Sequence, residues 1–155
     1  METPYNKTKV VEILNKILES ELAGIVRYTH YSLMIFGYNR IPIVSWMRGE
    51  ATTALAHAQQ AGEMITALGE HPSLGIGSLL ETHQHNIGQI LHEAMEHEQA
   101  ALALYKELLN LVEHKSIFLE EYARKMIAEE EGHAHEVNKM LRNPGDVHAF
   151  KHDKG

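Results

Sequence analysis

From about Tyr5 to Phe36, apolar residues return every three or four positions, through Val10, Ile13, Leu14, Ile17, Leu18, Leu22, Ile25 and Val26. That spacing places them on one stripe of an amphipathic helix of roughly eight turns. Gly37 and Pro42 punctuate its end, and a second helix is expected from about Ile43 to Leu68 through Trp46, Met47, Leu55, Met64 and Ile65. Gly69 stands where a C-terminal cap glycine belongs, with Pro72 beyond it. The stretch from Glu70 to Gly77 reads as loop, part of a connection reaching to about Asn86. A third helix then carries Ile87, Ile90, Leu91, Met95, Leu102, Leu108 and Leu109. After a turn near Val112 to Lys115, a fourth carries Phe118, Leu119, Tyr122, Met126, Ile127, Val137 and Leu141. Pro144-Gly145 closes it.

No stretch alternates as a strand would. Two long helices, an extended connection and two more long helices predict an all-α four-helix bundle with one long crossover between the second and third helices. One domain over residues 1–142 and a polar tail over 143–155 are expected. Composition narrows the chemistry. The chain lacks cysteine, which excludes disulfides, thiolate metal sites and cysteine nucleophiles together. A net charge of −7 argues against nucleic acid as a partner, since neutralising phosphates takes clustered Lys and Arg. No apolar run approaches the ~20 residues of a membrane span, and no secretory signal is visible, so the cytoplasm is the expected location. Twelve histidines are the first sign of metal chemistry.

The strongest local signal is Glu130-Glu131-Gly132-His133 in the fourth helix. Glu130 and His133, three apart, project from one face and can share a metal. Alone, such a pair reads as a solvated acidic helix end. Its context differs. Glu21 lies mid-way along the first helix among Leu18, Leu22 and Ile25, and Glu98 mid-way along the third. His57 lies mid-way along the second, within Ala54-Leu55-Ala56-His57-Ala58. Buried carboxylates are costly unless a cation or protons accompany them, so a ligand at similar depth on every helix points to a metal. A carboxylate and imidazole set suits ferrous, manganous or zinc ions.

This order and spacing resemble the bacterioferritin family of ferritin-like di-iron carboxylate proteins, over nearly the whole chain. The resemblance implies a ferritin-like bundle and iron ligands at Glu21, His57, Glu98, Glu130 and His133, with Glu130 bridging two ions and Tyr28 near them. It implies ferroxidase chemistry and iron storage: ferrous iron is oxidised by oxygen or peroxide and passed to a mineral core within a homo-oligomer, a dimer or a twenty-four-subunit cage. Two positions depart from the pattern. Ala54 stands where the family has a second bridging glutamate, leaving Glu21, Glu98 and Glu130 to balance two divalent ions. Glu50, seven residues before His57, is the available substitute, although it sits ~6 Å along the axis from position 54. Leu55 stands where the family's haem methionine belongs, so no haem is expected. The alternative is a metal-binding protein without ferroxidase turnover, or an inactive cage subunit holding one ion. A metal-dependent oxidase of organic substrates and a bundle without metal are the further readings. Most remaining histidines, His83, His85, His92, His97 and His114 among them, are expected to face solvent.

Overall fold

The computed structural model describes residues 3–79 and 81–151. Four helices follow one another: α1 (Lys7–Met34), α2 (Arg40–Ala67), α3 (Ile87–Val112) and α4 (Ile117–Leu141). Three begin with a side chain that answers an otherwise unpaired backbone donor. Asn6 accepts from Lys9 N, Asn86 from Gln89 N and Ser116 from Leu119 N. The second helix differs from the sequence expectation, because it starts at Arg40, three residues before Ile43. Pro42 therefore lies inside the first turn, where its missing N–H costs nothing since that donor has no intrahelical partner.

Helix α2 ends in a Schellman arrangement. Gly69, at φ +77°, donates to Thr66 O, and Glu70 donates to Ile65 O. Residues 68–79 and 81–86 belong to the crossover, which is held to α1 at several points. Ser73 N donates to Asn15 Oδ1 at 2.8 Å, Ser73 Oγ to Glu19 Oε1 at 2.6 Å and Gly77 N to Glu19 O at 2.8 Å. A Cβ at Gly77 would meet that same Glu19 oxygen at 3.0 Å, so the close approach favours glycine. The short links 35–39 and 113–116 make α1/α2 and α3/α4 two antiparallel hairpins, and α1 also packs on α3.

The apolar core is split in two. One cluster gathers Leu14, Ile17, Ala61, Ile65, Leu108, Leu119 and Met126, and the other Tyr31, Ile35, Met47, Ile90, Leu91 and Val137. Each buried Leu, Ile or Met contributes about 1.5–3 kcal/mol. Between the clusters lies a polar layer. It arises because the sevenfold core stripes are interrupted once each: Leu14–Glu21–Tyr28–Ile35 on α1, Leu91–Glu98–Tyr105–Val112 on α3, Ala123–Glu130–Val137 on α4. Beyond α4, the tail turns at Gly145 and folds back. Phe150 and Asn138 exchange two hydrogen bonds, and the Phe150 ring meets His92. No helix forms among the described residues after Leu141.

Candidate metal centre

Glu21, His57, Glu98 and Glu130 are only 5, 4, 5 and 2% exposed, although each carries or can carry charge. They come together with Glu50 and His133 in two trios, Glu21–His57–Glu130 and Glu50–Glu98–His133. Within each trio the candidate ligand atoms lie within 4.8 Å of one another. His57 Nδ1 is 3.6 Å from Glu21 Oε1 and 3.4 Å from Glu130 Oε1. His133 Nδ1 is 3.5 Å from Glu50 Oε2, 3.9 Å from Glu98 Oε2 and 4.0 Å from Glu130 Oε2. The two oxygens of Glu130 thus point one to each trio. Its Oε2 is buried and makes no hydrogen bond among the described residues. A buried carboxylate oxygen without a donor is expensive, and a cation at that point would answer it.

The site has room for small occupants only. A cavity of about 10 Å³, the space of roughly one water-sized sphere, lies among these six residues. Ala54 and Ala101 form part of its wall, as do Tyr28 and His97. Ala54 brings no carboxylate. Glu50 reaches the layer from about one turn before Ala54, on the same stripe as His57. Its side chain is largely enclosed, and burial raises its pKa, with His133 opposing and Glu98 adding to the rise.

Burial disfavours a charged His57 ring, yet the Glu130 and Glu21 carboxylates outweigh it and raise its pKa to about 10. Burial raises Glu130 to about 9, with His57 opposing and Glu98 reinforcing the shift. Burial also works against an ionised Glu98, but the nearby His133 and Glu130 and the Tyr28 hydroxyl outweigh it and hold its carboxyl below the usual range. Tyr28 donates its hydroxyl to Glu98 Oε1 at 2.5 Å, and Tyr105 donates to Glu21 Oε1 at 2.8 Å. Both phenols are raised above their usual range, chiefly by burial. The ring of His133 is raised as well, mainly by Glu98 and against the effect of burial.

Two neighbours of the site carry no clear signal in the sequence. Glu129 meets His57 Nε2 at 2.8 Å, which fixes the ring and leaves Nδ1 facing Glu21 and Glu130. That is the carboxylate–histidine pairing seen behind metal ligands. A ligand histidine needs such an acceptor, but only the packing of α4 on α2 shows which of three consecutive glutamates provides it. His97 is the other. Rather than facing solvent freely, it is half-buried, with Nε2 lying 2.9 Å from where a Cβ on Gly24 would stand. Burial lowers its pKa. It lines both the central cavity and a separate surface hollow of about 360 Å³ bordered by Glu19, Glu93 and Glu96. Leu55, two residues before His57, is 46% exposed on α2 and offers no ligating atom.

Three comparisons place this architecture among known proteins. The Ferritin-like domain family matches residues 11–144. A bacterioferritin from Desulfovibrio desulfuricans is 28% identical over 151 residues, covering 94% of this chain and 83% of the relative. The solved structure of a D. desulfuricans bacterioferritin, described with its di-iron site in different catalytic states, is 27% identical with a TM-score of 0.77, covering 87% of this chain and 79% of that one. Bacterioferritin from Rhodobacter capsulatus, solved with a metal-free dinuclear site and haem iron, shares the fold at 24% identity and a TM-score of 0.79. It covers 88% of this chain and 86% of its own. With four helices joined by one crossover and a match that spans nearly all of them, the chain belongs to the ferritin-like family.

Proposed function

We propose that the chain binds two ferrous ions between its helices and oxidises them, as a step in iron handling and storage. The observation that carries this reading is Glu130, a buried carboxylate whose oxygens address two separate ligand trios, one of them without a hydrogen bond. Glu21 and His57 would hold one ion, Glu98, His133 and Glu50 the other, with Glu130 between them. Glu50 then supplies the carboxylate that Ala54 does not. Four carboxylates, Glu21, Glu50, Glu98 and Glu130, balance the four positive charges of two divalent ions. Iron is the substrate here, and each ferrous ion gives up one electron, two in all, to dioxygen or peroxide.

The residues provide the setting for that chemistry. Glu130 and His57 release their protons as ions enter, while Glu129 keeps His57 Nε2 engaged and Nδ1 aimed inward. Tyr28 positions Glu98 through its short hydrogen bond and lies against Trp46 and Tyr31, an aromatic group adjoining the site. The largely apolar clusters on either side keep bulk water away and strengthen every charge interaction within the layer. Self-association accompanies this reading. Leu33, Phe36 and Ile41, all close to the link between α1 and α2, are exposed large apolar side chains that contact with a second copy would cover. No helix among the described residues is long and apolar enough to cross a membrane.

The test is anaerobic loading with ferrous iron followed by admission of dioxygen or peroxide, with ferric formation followed by its near-ultraviolet absorbance. Rapid oxidation by the wild type and its loss in Glu130→Gln support the reading. Equal oxidation rates in the two proteins, matching iron in buffer, overturn it. Light scattering during size-exclusion chromatography tests the oligomer, and a monomer would remove the storage part of the proposal.

A further inference from the structure

A second ligand set lies away from the central layer, where the crossover meets α1. His30 projects from α1, and Glu81 and His85 come from the last turn of the crossover before α3. Their candidate ligand atoms all lie within 4.8 Å of one another. His30 Nε2 is 2.8 Å from Glu81 Oε2, and His85 Nε2 is 3.3 Å from Glu81 Oε1. Two ligands on one tetrahedral ion with bonds of ~2.1 Å stand about 3.4 Å apart, so the trio needs only small side-chain adjustments to share one.

Two features separate this trio from a chance surface grouping. The first is His85 Nε2, which is enclosed yet has no hydrogen-bond partner among the described residues. It stands 3.3 Å from Glu81 Oε1. The second is the organisation of Glu81. His83 takes the left-handed conformation at φ +56° and donates its backbone N–H to Glu81 Oε1 at 2.5 Å. That bond and the one to His30 hold the carboxylate in place between the two imidazoles.

We propose that His30, Glu81 and His85 form a surface site for a divalent transition ion of the zinc type, which fastens the crossover to α1. Two imidazoles and one carboxylate are a donor set that suits zinc, with the fourth position open to water. The ion would join residues 51 and 55 positions apart in the chain, at a place where the crossover is already tied by Arg27 Nη2 to Ser78 O at 2.8 Å. A hollow of about 250 Å³ beside the site, lined by Val26, Arg27, Tyr31 and Leu79 along with His30 and Glu81, gives access from solvent. The site is independent of the central layer: it uses none of the same residues, and it stands whether or not iron is oxidised there.

The experiment is equilibrium dialysis of the full metal-free chain against Zn²⁺, comparing the wild type with His30→Ala/His85→Ala and with His83→Ala. The double variant changes side chains that are partly or largely exposed, so its fold is checked by circular dichroism and is expected to be retained. Expected is one fewer zinc ion per chain in the double variant, with the affinity of that ion weakened by at least about 10–100-fold, the cost of losing even an outer-shell partner. His83→Ala keeps the ion, because it is the backbone N–H that serves Glu81. Amide exchange over residues 78–86 slows on zinc addition in the wild type and in His83→Ala, but not in the double variant. Equal zinc counts and affinities in all three proteins, or a loss shared equally by His83→Ala, overturn the proposal.

Discussion

Replacing Glu50 by Gln separates the charge of this residue from its shape. In the metal-free protein Glu50 is an enclosed carboxyl raised by burial, with Glu98 and Glu130 close by in the same layer. A neutral amide of equal size relieves that burden, so the apo variant is expected to be as stable as the wild type or slightly more so. Metal binding responds in the opposite direction. With Gln at position 50, three carboxylates face two divalent ions instead of four. A unit charge pair at about 4 Å and an effective dielectric of ~20 interacts by about 4 kcal/mol, and twice that for a divalent ion. Desolvating the carboxylate takes back several kcal/mol. The net is about 3–4 kcal/mol, or a loss on the order of 10²–10³-fold in affinity. The loss falls on the second ion, because Glu50 belongs to the trio with Glu98 and His133, not to that with Glu21 and His57. Anaerobic calorimetric titration with Fe²⁺ resolves the two steps, and thermal unfolding of the apo protein gives the stability. Two ions bound with wild-type affinity would refute the role given to Glu50, and so would an equal weakening of both.

Three further outcomes follow from the same geometry. Since His57 and Glu130 both hold protons at neutral pH, binding should release protons and tighten as pH rises toward 9–10. Both folded-state pKa values are raised, so the apo protein should lose stability as pH climbs, through about 4.5 to 9 for Glu130 and 6.5 to 10 for His57. Opposite slopes of apo stability and iron affinity, measured across pH 6–9, check this, and parallel slopes would contradict it. Tyr28→Phe removes the donor to Glu98 and should weaken iron binding by about 10–100-fold while the fold persists, read by the same titration. Leu14→Ala, at a fully buried position in the apolar cluster remote from the site, should cost about 2–5 kcal/mol in urea unfolding and leave the iron count unchanged.

What the sequence disclosed, and what it withheld, divides by range of interaction. Helix periodicity and glycine or proline punctuation are local, so four helices and a long crossover can be read directly, with α2 displaced only because Pro42 is tolerated in a first turn. Glu21, Glu98 and Glu130 stand out because each interrupts an apolar stripe, a contradiction visible along a single helix. The contacts among them are not local. Glu50 meets His133, and Glu129 meets His57, through the rotation of α2 against α4, which no one-dimensional spacing records. Likewise Phe150 returns to Asn138 and His92, a contact that no spacing along the chain records, while residues 143–149 stay exposed. His30, Glu81 and His85 meet only because the crossover is bound along α1, and their spacing in the chain gives no hint of it.

Counting and locating iron tests the central claim most directly. Crystals of the protein loaded anaerobically with Fe²⁺, measured at and below the iron absorption edge, should give two anomalous peaks per chain in the central layer. One is expected among Glu21, His57 and Glu130 and the other among Glu50, Glu98, His133 and Glu130. A single peak, or none between the helices with iron confined to the surface, would contradict the account.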